Sequence, residues 1–185
     1  MNIRLTNHAP LGVAAVLLIA SGAAMATPAD EDAAAVGYCT STGGVSTVVH
    51  PYANTNGDAS QWVRYGGTTT MCTYTAADTS TIQIFNSTLA STRPTMAALA
   101  YYAQVPMSGG GGNPANAYCL QLGGTYNIGA PGSGSLWTTK PGVINGAMCV
   151  FADGSAIDAW GLAYHSASII RGIDLATVLK FANPY

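Results

Sequence analysis

Charge is what this chain has least of: Asp, Glu, Lys and Arg together make up 8% of its 185 residues, against roughly 25% in ordinary soluble domains. The formal net charge is −2, and the absence of a basic patch excludes nucleic acid as a partner. Polarity is carried instead by Ser, Thr, Asn and Gly. A weakly charged, hydroxyl-rich surface of this kind suits work outside the cytoplasm and offers no long-range steering to a charged ligand. Chemistry is sparse as well. No two cysteines stand two residues apart, the spacing a dithiol oxidoreductase needs so that one thiolate attacks while its neighbour resolves. Cys and His do not cluster as zinc requires, and no cofactor motif occurs. The glycine run Gly109 to Gly112 is not followed by the Lys-Ser/Thr of a phosphate loop.

Hydrolytic signatures fare no better. A serine hydrolase needs nucleophile, base and orienting acid, yet there is no Gly-x-Ser-x-Gly elbow, and Asp158 and His165 share one short segment. A pair of carboxylates facing across a sugar finds few candidates, because Asp78 and Asp153 read as turn residues. Asn54, Asn56 and Asp58 alternate as in a calcium loop, but the bidentate Glu is missing. The expectation is therefore no catalytic residues, no metal and no cofactor. Asn86-Ser87-Thr88 is a glycosylation sequon, expected to be idle in a chain whose export signal is of bacterial type.

What is present begins with export. Arg4, the apolar run Leu11 to Ala20 and the small residues of Ala24-Met25-Ala26 form a signal peptide over 1–26, cut before Thr27. Ser21 and Gly22 interrupt the run short of the roughly 20 apolar residues of a membrane span, so no stable span survives cleavage. The four cysteines, Cys39, Cys72, Cys119 and Cys149, are an even number in an exported chain, and disulfides are their default state.

The same phrase opens two halves. Tyr38-Cys39 precedes Gly43-Gly44 as Tyr118-Cys119 precedes Gly123-Gly124, and Met71-Cys72-Thr73-Tyr74 matches Met148-Cys149-Val150-Phe151. Asp78, Ile82 and Phe85 match Asp153, Ile157 and Trp160, while Ser60-Gln61-Trp62 matches Ser135-Leu136-Trp137. Agreement in this order reads as a tandem repeat: a divergent first unit over 27–107, a glycine-rich linker over 108–112 and a second unit over 113–185. Duplication pairs Cys39 with Cys72 and Cys119 with Cys149.

Each unit is expected to open with a short helix, capped by Asp32 in the first and by Asn113 with Pro114 in the second, and stopped by Gly43 or Gly123. Strands follow at Val45 to Val49 and Thr125 to Ile128, then at Thr69 to Thr75 and Ala147 to Phe151. Thr81 to Phe85 reads as a strand, whereas Ser155 caps a helix through Ala156 to Ala163. Tail helices close each unit at Thr95 to Gln104 and Asp174 to Phe181. The fold class is α+β: two small disulfide-linked units, each a short helix, a small antiparallel sheet and a trailing helix.

The phrase Asn113-Pro114-Ala115, Tyr118-Cys119, Gly123-Gly124, Cys149-Val150-Phe151, Asp153-Gly154-Ser155 and Trp160 resembles a bacterial exported family, domain of unknown function 333, which carries a hemolysin label by inheritance. The resemblance runs from Asn113 to about His165 and implies a small exported domain without established catalytic residues. Family members commonly hold a second cysteine pair where this chain has Ile157 and, near the end, Ala167.

Trp62 and Trp137 each lie in a polar, glycine-bearing loop; either each folds back as a lid on its own small core, or they are the candidate binding residues. Trp offers large contact area and an N–H donor at low entropic cost, and flat aromatic surface amid hydroxyls and amides suits a glycan or an uncharged protein face. The reading is a secreted or periplasmic, non-enzymatic module that binds a partner or builds structure at the cell envelope. The alternatives are a membrane-active, hemolysin-like protein and, further off, a hydrolase.

Overall fold

A computed structural model describes residues 28–109, 112–126 and 135–185; the expected signal peptide, Gly110 and Gly111 of the expected linker, and the expected strand end at Asn127 and Ile128 lie outside these. The chain is mixed helix and antiparallel sheet. In order come α1 (Pro28–Ser41), β1 (Val45–Ala53), a 3-10 turn (Ala59–Gln61), β2 (Val63–Arg64), β3 (Thr69–Thr75), β4 (Thr81–Phe85), α2 (Asn86–Leu89) and α3 (Met96–Ala103). Then follow α4 (Pro114–Gln121), β5 (Ser135–Thr138), β6 (Met148–Val150), β7 (Ala156–Asp158), α5 (Ala159–His165) and a closing 3-10 turn (Leu175–Thr177).

The sheet is not divided between the halves. Its order is β2-β1-β3-β4-β7-β6, with β5 paired to β1, so the second half touches the first at two places. At the centre, β4 meets β7 antiparallel with Ile84 opposite Ile157. At one end β5 lies along β1 from His50–Thr138 to Ala53–Ser135. Two separate small sheets are thus replaced by one, because each would have left a hydrophobic edge strand unpaired.

Both disulfides form as the duplication pairs them, Cys39–Cys72 and Cys119–Cys149, and their surroundings repeat. Helices α1 and α4 end on Gly43 and Gly123 at φ +86° and +82°, the left-handed stop that favours glycine. The next glycine has a different task. A Cβ on Gly44 would lie 2.9 Å from Cys39 Sγ and closer still to Cys72 Sγ, and one on Gly124 would meet Cys119 and Cys149 in the same way. The amides of these glycines donate to Cys39 O at 2.9 Å and Cys119 O at 3.0 Å. Each bridge therefore seats directly on a bare backbone.

The hairpin tips repeat too. Asp78 Oδ1 accepts the Ser80 N–H at 2.9 Å and Asp153 Oδ1 the Ser155 N–H at 3.0 Å. Counted from the disulfides, however, the counterpart of Ile157 is Ile84 and not Ile82, since Cys72 pairs with Ile84 and Cys149 with Ile157. The first hairpin is two residues longer on each strand, an insertion that keeps the side-chain alternation intact. The tails cross over: the Ala97 N–H of α3 donates to Ser155 Oγ at 3.0 Å, and the Gly172 N–H to Ser80 Oγ at 3.2 Å.

Several expected boundaries move. Helix α1 starts at Pro28, and Asp32 lies within it, where its carboxylate accepts the Thr70 hydroxyl at 2.9 Å instead of capping. Strand β1 runs on through Pro51; pairing to β3 stops at Val49 and pairing to β5 starts at His50, so the proline falls at a change of partner, where a missing N–H is tolerated. Thr125 makes only an isolated bridge to Val150. The segment after Ser155 is strand first and helix second, and Asp158 is the cap, accepting the Trp160 N–H at 2.9 Å. The last tail is a single 3-10 turn capped by Asp174.

Two cores sandwich the sheet. The larger, on the helix side, contains both disulfides with Ile82, Ile84, Leu89, Tyr101, Tyr118, Ile157, Leu162 and Leu175. The smaller, on the other face, holds Val49, Met71, Phe85, Met148 and Ala156. Asn86 of the sequon is fully buried, its Nδ2 donating to Ser46 Oγ at 2.6 Å, which closes it to glycan transfer.

Comparison of the two hairpin tips exposes a strained residue. Thr79 stands at φ +68° in the turn where the second half has Gly154 at φ +79°, and a β-branched residue there costs about 1–2 kcal/mol. Thr79→Gly is expected to raise stability by about 0.5–1 kcal/mol after the extra freedom of the unfolded chain is subtracted, as measured by urea denaturation.

Candidate functional site

The two tryptophans do not share a surface or a local structure. Ser60-Gln61-Trp62 ends a 3-10 turn, in which Asp58 accepts the Ser60 N–H at 2.8 Å and its hydroxyl at 2.6 Å; these bonds hold the Asp58 carboxyl below its ordinary pKa. The alternating Asn54-Asn56-Asp58 stretch thus spends its carboxylate on a turn. Ser135-Leu136-Trp137, by contrast, is strand β5. Alternation along β1 and β5 puts Leu136 with Tyr52 on one face and Trp137 with Pro51 on the other, and Trp62 packs toward Tyr52, ring centroids 6.1 Å apart.

Trp137 belongs largely to the fold. Its indole packs edge-on against Phe85 at 5.5 Å and seals the smaller core. The loop expectation fails here because β5 finds a pairing partner in β1 and the strand turns the ring inward. Trp62, half-buried like Trp137, is held differently: its Nε1–H donates to Gly57 O at 3.2 Å. Beyond it, Val63 of the edge strand β2 is 57% exposed and Tyr65, just past the strand, 55%, with the Tyr65 N–H anchored on Pro51 O at 2.8 Å. Arg64 Nη2 lies 2.8 Å from His50 Nδ1, and Asn54 Nδ2 donates to Gln61 O at 3.1 Å. The ladder sets Trp62 with Tyr52 on one face of this tip and Tyr65 with Pro51 on the other, so the tip carries one braced aromatic ring on each face. Tyr65 is the residue that sequence reading missed; its proximity in sequence to Trp62 was the available signal.

The residues weighed for hydrolysis are tied into the structure. Asp158 and His165 stand at opposite ends of α5. The His165 ring stacks on Tyr101 at 3.7 Å with planes 5° apart, and Gln104 Nε2 lies 3.0 Å from its Nε2. Burial pushes the imidazole pKa down. Tyr101 donates to Asp174 Oδ1 and accepts the Leu175 N–H, both at 3.1 Å, and burial raises its phenol well above the usual range. Burial also lifts the Asp158 carboxyl to about 6, against the opposing bonds from the Gly161 and Trp160 amides. Asp78 and Asp153 hold turns, as expected.

Two clefts occupy corresponding positions. One, between α1 and α2, has a volume of about 700 Å³ and is lined by Ser87, Ser91, Arg93, Lys180 and Asp32. The other, between α4 and α5, is about 310 Å³ and apolar, lined by Pro114, Trp160, Ala163, Tyr164 and Ile169. Counted from the disulfides, Ser87 and Ser91 answer to Trp160 and Tyr164, so the same architectural groove carries opposite chemistry in the two halves.

Residues 110–166 match a family model described as Domain of unknown function (DUF333), which accounts for one copy in the second half. No curated protein and no solved structure matches the chain.

Proposed function

We propose that this chain is an exported, non-enzymatic binding module whose working surface is the sheet tip around Trp62 and Tyr65, and that its ligand is uncharged, a glycan of the cell envelope or a neutral protein face. The observation that carries the reading is two braced aromatic rings at the tip, one on each face of the sheet. Tyr65 is 55% exposed while its backbone is hydrogen-bonded to β1, and Trp62 is braced through its own indole N–H. Aromatic surface that is rigid before binding loses little rotamer freedom on contact, and a neighbourhood of amides and hydroxyls supplies the directional bonds a sugar needs. Export fits the two disulfides, which persist outside the reducing cytoplasm. No helix among the described residues is long and apolar enough to cross a membrane.

We read the halves as tandem copies, 27–107 and 113–185 about the linker 108–112, on the strength of the repeated glycine-on-disulfide seats and the repeated hairpin tips. Trp137 moves from the binding role to a structural one. A membrane-active reading keeps one supporting observation, the apolar cleft at Trp160 and Tyr164 with Ile169 50% and Ile170 44% exposed beside it; release of dye from loaded liposomes tests it.

Alanine substitution separates these roles. Trp137→Ala removes a packed ring and is expected to cost about 2 kcal/mol or more, seen as a lower melting temperature. Trp62→Ala with Tyr65→Ala is expected to leave melting almost unchanged and to abolish retention on purified cell-wall sacculi and insoluble neutral polysaccharides. Retention of the doubly substituted protein at the parent level would remove the tip as the site.

A further inference from the structure

The centre of the molecule holds a polar pair that the binding reading does not use. The register that sets Ile84 against Ile157 sets Gln83 of β4 against Asp158 of β7, on the face of the sheet away from the large helices. Asp158 is 5% exposed, and one of its oxygens, Oδ1, is committed to the Trp160 N–H that starts α5. Gln83 reaches Thr73 Oγ1 with its Nε2 at 3.4 Å, and its Oε1 is buried with no hydrogen-bond partner. These acceptors converge. A Cβ on Gly146 would lie 3.4 Å from Gln83 Oε1 and 3.8 and 3.9 Å from the two Asp158 oxygens, so amide and carboxyl surround one point above a backbone that glycine alone keeps bare. Two acceptors crowded around one point repel, and leaving the buried Gln83 Oε1 unpaired costs free energy. A proton between them resolves both.

We propose that Asp158 is held as a neutral carboxylic acid in the folded protein and donates its proton to Gln83 Oε1, a hydrogen bond that latches β4 to β7 and tightens the junction between the halves in mild acid. Burial outweighs the groups that favour the ionised carboxylate, which are the Gly161 and Trp160 N–H groups and then Arg171, whose Nε reaches Thr81 O at 3.4 Å. From β6 the opposite residue is Met148 and from β4 the neighbours are Thr81 and Gln83, none of which titrates. His165 is at the other end of α5 and faces Tyr101.

The sign follows from linkage. A carboxyl whose folded pKa of about 6 exceeds its unfolded value of 3.8 favours the folded state in its protonated form. Its contribution is complete below the unfolded value, is lost as pH rises from there through about 6, and is constant above. An ordinary ionised helix cap has the opposite slope.

The test uses the whole protein. Carboxyl-carbon NMR of uniformly labelled material should give Asp158 a midpoint near 6. Asp158→Asn keeps an oxygen for the Trp160 N–H and supplies a permanent N–H to Gln83, so it should melt with the parent at pH 4.5 and several degrees higher at pH 7.5. Taking the difference between the two proteins cancels His165, which depresses stability in acid in both. A midpoint below 4 would overturn the proposal and mean that the Gln83 amide is turned over, with Nε2 donating to an ionised carboxylate. So would an Asp158→Asn protein that melts lower than the parent at pH 7.5, or a difference that does not change with pH. If the variant does not fold, the NMR midpoint of the parent decides alone.

Discussion

Each disulfide of this protein rests on a glycine that has no room for a side chain, and the rest of the fold is arranged around that contact. The sulfurs of Cys39 and Cys72 occupy the space a Cβ on Gly44 would need, and those of Cys119 and Cys149 do the same at Gly124. The contact fixes the angle at which a helix hands over to the extended segment beside its own sheet strand. Closure of loops spanning 33 and 30 residues contributes about 3–4 kcal/mol each on the chain-entropy estimate, an important share in a chain with few ion pairs to draw on. With both bridges on the helix face, Ile84 and Ile157 are presented edge to edge, and one sheet results.

That geometry bears on how much could be read in advance. The glycine helix stops, strand β3 and helix α3 were legible because each depends on neighbours within a few residues: a φ of +86° at Gly43, an alternating run at Thr69 to Thr75, a Thr95 cap; the cysteine pairing was legible only through the matching phrases around the four cysteines. What escaped depends on distant partners. Ala156 to Asp158 resembles the first turn of a helix in composition, and it is a strand because β4 lies beside it. Pro51 would end a strand in isolation, yet β1 passes through it because β5 takes over where β3 leaves off. The second glycine of each Gly-Gly pair carried a visible signal, its repetition, but the reason for it is a sulfur 28 or 25 positions further along the chain at Cys72 and Cys149.

The candidate site was half legible for the same reason. Trp62 and Trp137 share a three-residue phrase, and that phrase forms a 3-10 turn in one place and a strand in the other, because only the second finds β1 on its free side. An aromatic ring in a polar stretch does not announce which way it turns; Phe85 draws Trp137 inward, while Tyr52 and Gly57 O brace Trp62 near the surface. The low charge of the sequence keeps its meaning in the folded molecule, where aspartate side chains serve as caps and turn anchors at Asp58, Asp78, Asp153, Asp158 and Asp174.

The disulfide-bonded halves of the chain meet where β4 pairs with β7, and native-state hydrogen exchange tests most directly whether that pairing makes them one cooperative body. In a Cys119→Ser/Cys149→Ser protein, the account predicts that amides of β3 around Cys72 lose protection by the same factor as those of β6, because a single unfolding event exposes both. Parent-level protection in β3 alongside rapid exchange across β6 and β7 would contradict it, and would mean that the halves are independent units that merely touch.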